Sequence, residues 1–233
     1  MQYGITIVTI TIVILRILTM TTQTEPPLRA AALIVGAGDA TGGAIAKRFA
    51  REGLVACVTR RSAEKLAPLV DEITRLGGQA RGFASDARKE DEVVALVDTI
   101  EREVGPIEVM VFNIGANVPC SILDETARKY FKIWEMACFG GFLAGREVAR
   151  RMVVRGRGTI LFTGATAGLR GSANFAAFAG AKHALRALAQ SMARELGPKN
   201  IHVAHVVVDG AIDTDFIRES FPERYALKDQ DGI

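Results

Sequence analysis

The stretch AALIVGAGDATGGAIAKRFAREG, residues 31–53, decides the fold. Ala31 to Val35 is an unbroken apolar run without the polar alternation of a half-exposed strand, so it reads as a short strand buried on both faces. It leads directly into Gly36-Ala-Gly38-Asp39-Ala40-Thr41-Gly42-Gly43 and then into a helix pattern, AIAKRFAREG. Glycines between a first strand and a first helix let the backbone turn sharply and come close to a ligand. The free N–H groups and positive dipole at the helix start attract an anion there.

The same alternation continues to the end of the chain. Further strands are expected at Val55 to Thr59, Ala80 to Ala84, Val109 to Asn113, Thr159 to Thr163 and Val203 to Val208. Helical patterns fall near 43–52, 63–76, 89–104, 124–153 and 174–197. Repeated βα units imply an α/β fold, a doubly wound parallel sheet of the Rossmann-like type with helices on both faces. After Val208 no seventh strand is legible, so either the chain is cut short or the sheet lacks its last strand and has an open edge.

The 233 residues, 49% hydrophobic and 24% charged, suit one well-buried domain. The net charge of +3 is spread as interleaved Lys, Arg, Asp and Glu, which describes a solvated surface and not a nucleic-acid footprint. Cys57, Cys120 and Cys138 are odd in number and lack metal spacing, as expected of reduced thiols in a cytoplasmic protein. His183, His202 and His205 form no recognisable ligand set, so no metal is expected.

Residues 1–29 stand apart as a hydrophobic N-terminal extension and linker before a domain at 30–233. Residues 5–19, ITIVTITIVILRILT, are shorter than the ~20 residues a helix needs to span a bilayer and carry Arg16. A short membrane anchor is one reading; an extension preceding an alternative start at Met20 is the one preferred.

The turn and first helix suit a dinucleotide pyrophosphate. The second strand ends at Thr59-Arg60-Arg61, and arginine here suits a ribose 2′-phosphate where an acidic residue would suit a free 2′-hydroxyl. NADP(H) is thereby preferred to NAD(H), although both arginines also fit a solvated helix start. Asp86 and Asn113-Ile114-Gly115 fall at strand carboxyl ends, where ligands of doubly wound sheets lie.

Together these features resemble the short-chain dehydrogenase/reductase family over residues 30 to 216. Gly36 to Gly42 is similar to its Gly-x-x-x-Gly-x-Gly, with Ala40 for the middle glycine. Phe112-Asn113-Ile114-Gly115 resembles Asn-Asn-Ala-Gly, and Asp86 matches the acidic residue that contacts adenine. Asp209-Gly210-Ala211-Ile212-Asp213-Thr214 resembles the Pro-Gly-x-x-x-Thr that closes over nicotinamide, keeping Gly210 and Thr214. The resemblance implies a homodimer or homotetramer and a catalytic Asn-Ser-Tyr-Lys tetrad. Carried over residue by residue, the asparagine falls on Ala137, the serine on Ala165 and the tyrosine on Phe178; Lys182 alone is kept. On a helix Phe178 and Lys182 share a face, so a tyrosine at 178 would have its proton made labile by the lysine ammonium.

Two functions stand open. One is an NADP(H)-dependent oxidoreductase with a degenerate site, passing hydride to an activated carbonyl or conjugated C=C bond of an unidentified small molecule. The other is a non-catalytic dinucleotide-binding or scaffold protein. Thr166, Ser172 and Asn174 are polar residues near the site, expected chiefly to cap the helix beginning near Asn174.

Overall fold

In a computed structural model of the chain, residues 29–38, 40–209, 212–213 and 215–226 are described. Six strands, β1 (Ala31–Val35), β2 (Val55–Arg60), β3 (Gln79–Ala84), β4 (Ile107–Phe112), β5 (Gly158–Thr163) and β6 (Ile201–Val206), form one sheet in the order β3-β2-β1-β4-β5-β6. Every pairing is parallel, as the uninterrupted apolar strands require, since both faces must be covered. Leu33 lies beside Cys57 on one flank and Met110 on the other. Strand order reverses between β1 and β4, which opens a crevice at their carboxyl ends.

The helices are α1 (Thr41–Arg51), α2 (Ala67–Arg75), α3 (Glu90–Glu103), α4 (Ala127–Trp134), α5 (Gly140–Arg155), α6 (Ala176–Leu196) and the short α7 (Asp215–Ser220) and α8 (Pro222–Tyr225). The pleat divides the strands between two cores. Leu33, Cys57, Met110, Phe112, Ile160 and Phe162 face α3, α5 and α6, whereas Ala32, Ile34, Ala56 and Val58 face α1 and α2. Burial in this core pushes the Cys57 thiol up to about 12, so it is inert at neutral pH.

Three expectations are corrected. The helix expected across 124–153 is two helices joined by a π-helical turn, Glu135–Phe139, whose extra residue per turn leaves no mark in an amphipathic sequence without proline. The last strand is Ile201–Val206, not Val203–Val208, because Asn200 takes a left-handed turn (φ 62°) and β6 starts at once in register with Gly158. Asn174 does not cap α6: it too is left-handed (φ 66°), its carbonyl accepts from the Cys120 N–H at 2.8 Å, and Phe175 occupies the cap position with no side-chain hydrogen bond. Among the described residues β6 is the outer strand on its side, with Val206 51% exposed.

No helix among the described residues is long and apolar enough to cross a membrane, and no His, Cys, Asp and Glu cluster there could hold a metal. The expectations placed on residues 5–19, Asp39, Gly210 and Thr214 lie outside the described residues.

Candidate active site

The crevice is built first from backbone. Gly36 has φ +89°, and a Cβ there would lie 2.9 Å from Ile114 Cγ1 and 3.0 Å from the Asn113 carbonyl oxygen. At Gly42 a Cβ would meet the Gly36 carbonyl oxygen at 2.5 Å and Ala37 Cα at 2.8 Å. Glycine is therefore a steric requirement at both places, and the loop lies flat on the end of β4. Asn113 fastens it: its backbone N–H donates to Val35 O at 2.8 Å and its side-chain amide to Gly36 O at 3.2 Å. Ala40 precedes α1 without a side-chain oxygen to occupy the first-turn N–H groups. Thr41 follows it, half-buried at the head of the helix. A narrow, backbone-lined cradle at a helix start fits the pyrophosphate of a dinucleotide.

Beside the cradle is a cleft of ≈ 230 Å³ lined by Gly36, Arg60, Arg61, Asp86, Arg88 and Gly115, among others. Asp86 is 9% exposed and accepts from Arg88 Nε at 2.9 Å and Nη2 at 2.5 Å. The Arg88 guanidinium holds the Asp86 carboxyl down to about 2, and burial opposes it. Arg88 also reaches Glu135 at 3.6 Å, linking this cleft to the π turn. Three arginines thus border one opening, and Arg88 went unmarked because its role depends on Asp86 two residues earlier.

The second half of the site is set by α6. Ala177, Phe178, Ala181, Lys182 and Leu185 form its buried face, so a lysine is carried inward with apolar neighbours. Lys182 is 3% exposed; its Nζ donates to Thr163 O at 2.8 Å and Ile114 O at 3.2 Å, bridging the carboxyl ends of β5 and β4. Two of the three ammonium protons are thereby used, leaving one for a ligand. The ammonium stands 5.8 Å from the Phe178 ring centroid. Ala137, fully buried in the π turn, packs in a cluster with Ala177 and Ala181 of α6.

Burial pushes the Lys182 pKa down from 10.5 to about 8. The unfolded chain holds that proton more tightly, so the fold gains stability as pH rises from about 8 to about 10.5. In denaturant titrations across this window the native chain should gain up to about 3 kcal/mol relative to Lys182→Met. Parallel pH profiles for the two proteins would contradict this burial.

A cavity of ≈ 410 Å³ opens over Phe178, lined also by Ala165, Thr166, Arg170, Phe175 and Asp209. Phe178, Ala165, Ala167, Phe175 and Val208 give it an apolar floor, and Asn117, Ser172 and Arg170 enter from its loops. Gly115 is exposed at the neighbouring strand end. His183 points elsewhere, with Nδ1 2.9 Å from Ala179 O. His205 was not singled out as a site residue, yet its Nε2 is buried without a hydrogen-bond partner. Burial, then the Lys182 and Arg186 charges, push its pKa down, so the imidazole is neutral at neutral pH. A strand position beside Phe162 carries no sequence signal of that kind.

Strand order, glycine cradle and an inward lysine at the ends of β4 and β5 now stand together, and residues 30–224 match the family model described as short chain dehydrogenase. The chain belongs to the short-chain dehydrogenase family. A short-chain dehydrogenase from Rhodopseudomonas palustris, solved by crystallography, shares 51% identity and superposes with a TM-score of 0.75 over 84% of this chain and 91% of that one. The 7alpha-hydroxysteroid dehydrogenase of Escherichia coli (strain K12) is 34% identical over 187 residues, 80% of this chain and 72% of its own length. A structure of a 7 alpha-hydroxysteroid dehydrogenase, complexed with NADH and 7-oxo glycochenodeoxycholic acid, is 32% identical at TM-score 0.73, over 76% of this chain and 69% of that one. Membership of the family carries an NAD(P)-binding fold and an oxidoreductase lineage with it.

Proposed function

We propose that this short-chain dehydrogenase binds NADP(H) through Gly36, Gly38, Asp39, Ala40, Thr41, Gly42, Arg60, Arg61, Asp86, Asn113, Gly115, Lys182, Gly210 and Thr214, and that its catalytic site is degenerate. The observation that carries this reading is the contrast around Lys182. The lysine is buried and anchored at two strand ends, while Phe178, whose ring centroid is 5.8 Å from its ammonium, and Ala165 and Ala137 bring no titratable group. Lys182 orients a bound ribose with its remaining proton, and the cradle holds the phosphates. When bound, the dinucleotide supplies hydride to an activated carbonyl or conjugated C=C bond, and the proton comes from a group other than residue 178.

Arg60 and Arg61 on the wall of this cleft favour the 2′-phosphate, because a planar guanidinium matches a phosphate in two hydrogen bonds. The solved hydroxysteroid dehydrogenase carries NADH, so the arginines of this chain, and not its ancestry, argue for the phosphorylated form. A second reading, a dinucleotide-binding protein without turnover, is favoured by the apolar filling of all three positions.

Association of copies fits a third cavity of ≈ 510 Å³ between α5 and α6, with Phe142, Val153, Leu188 and Met192 on its walls. This supports a homodimer or homotetramer, and the reduced, inert Cys57 suits a cytoplasmic protein. Residues 30–233 make up the dinucleotide-binding domain of the proposal and residues 1–29 an extension.

Calorimetric titration tests cofactor choice: NADPH should bind more tightly than NADH, and Arg60→Ala with Arg61→Ala should remove the difference. Turnover of electron-poor carbonyl and enone substrates, lost in Lys182→Ala, separates the enzyme from the non-catalytic protein.

A further inference from the structure

One wall of the cavity over Phe178 is made by two side chains 43 positions apart in the chain. Thr166, just after β5, donates its hydroxyl proton to Asp209 Oδ1 at 2.6 Å. Its backbone N–H donates to Val208 O at 3.2 Å, so the segment after β6 is clamped against the segment after β5. Both residues line the cavity. Because the Thr166 proton is committed to the carboxylate, the pair offers lone pairs and not protons. The apolar neighbours Ala165, Phe175, Phe178 and Val208 offer no proton either. The donors of the cavity, Asn117, Arg170 and Ser172, come from its loops, and Arg170 and Ser172 are exposed.

A carbonyl oxygen needs a donor, whereas an acceptor pair needs a ligand that brings a proton. We propose that Thr166 and Asp209 receive the hydroxyl of an alcohol substrate and take its proton, so that the pair is the general base of this site. This rests on the dinucleotide reading above. The substrate O–H breaks and its proton passes to Thr166 Oγ1 as the Thr166 proton passes to Asp209 Oδ1. The electron pair left on oxygen forms the C=O bond, and the carbinol C–H electron pair leaves as hydride to the oxidised nicotinamide, the class of oxidant the fold accommodates. Asp209 is exposed and returns the proton to water. Thr166 is the residue that touches substrate; Asp209 acts through it as a positioning and proton-accepting residue.

The test uses the full chain and the probes cyclohexanol, benzyl alcohol and cholic acid. Saturated with NADPH, the chain cannot oxidise them, so their binding is measured at equilibrium; with NADP+ their oxidation is followed. Thr166→Val should weaken binding of the bound probe about tenfold. Asp209→Asn should leave binding within about threefold and slow oxidation by at least about 100-fold. Thr166→Ser should restore both, and NADPH affinity should be the same in all variants. Thr166→Val binding and oxidising like the native chain would overturn the proposal, as would NADPH binding with no affinity for any probe. Failure to bind NADPH at all shows in the first titration and defeats the dinucleotide reading instead, and this proposal with it.

Discussion

Phe178→Tyr is expected to raise carbonyl reduction by roughly 10²-fold or more over the native chain, the contribution typical of one positioned general acid. Phe178 lies 8% exposed on the floor of the ≈ 410 Å³ cavity, with the Lys182 ammonium 5.8 Å from its ring centroid. A phenol there would find the cation that lowers its pKa already in place, and the lysine needs no movement because Thr163 and Ile114 hold it. Ala165→Ser added to the same background should raise the rate further, and by more than it does alone, since groups acting on one oxygen are not additive. Steady-state rates with NADPH and a simple ketone check this. Equal rates for Phe178→Tyr and the native chain, with NADPH bound to both, would mean that residue 178 is not beside the reacting atoms.

The second large effect belongs to the cradle. Gly42→Val should weaken NADPH at least about 100-fold and destabilise the fold by about 1–3 kcal/mol. Its Cβ would lie 2.5 Å from one backbone oxygen and 2.8 Å from Ala37 Cα, and backbone cannot swing aside as a side chain can. The pocket must widen exactly where its closeness gives the helix N–H groups access to phosphate. Gly171→Ala is the control, because an added Cβ there meets nothing within 4 Å. Calorimetric titration and thermal unfolding of the two variants check the pair; matching NADPH affinities would show that the phosphates lie elsewhere.

The fold was legible wherever burial on both faces forces a continuous apolar run, as in Ala31 to Val35 and Val55 to Val58, which are all buried. Gly36, Gly42 and Lys182 were legible for a related reason: each has a steric or electrostatic requirement that few residue types meet. The π turn at Glu135–Phe139 was not, because one extra residue in a helix alters which side chains face inward without changing their chemistry. Asn174 misled because the same short amide that caps helices also tolerates a left-handed backbone. Arg88 at Asp86 and Thr166 at Asp209 depend on where loops are carried, and in the second case on two strands lying side by side. Such contacts leave little signal in the sequence.

The central proposal is that the chain keeps a nucleotide site while position 178 lacks a proton donor. Calorimetric titration of the native chain with NADPH and with NADH, set beside turnover of a ketone under the same conditions, tests it most directly. The account predicts saturable binding of one dinucleotide per chain, tighter for NADPH, with ketone reduction rising when tyrosine is placed at 178. Absence of heat and of thermal stabilisation with both nucleotides would contradict it.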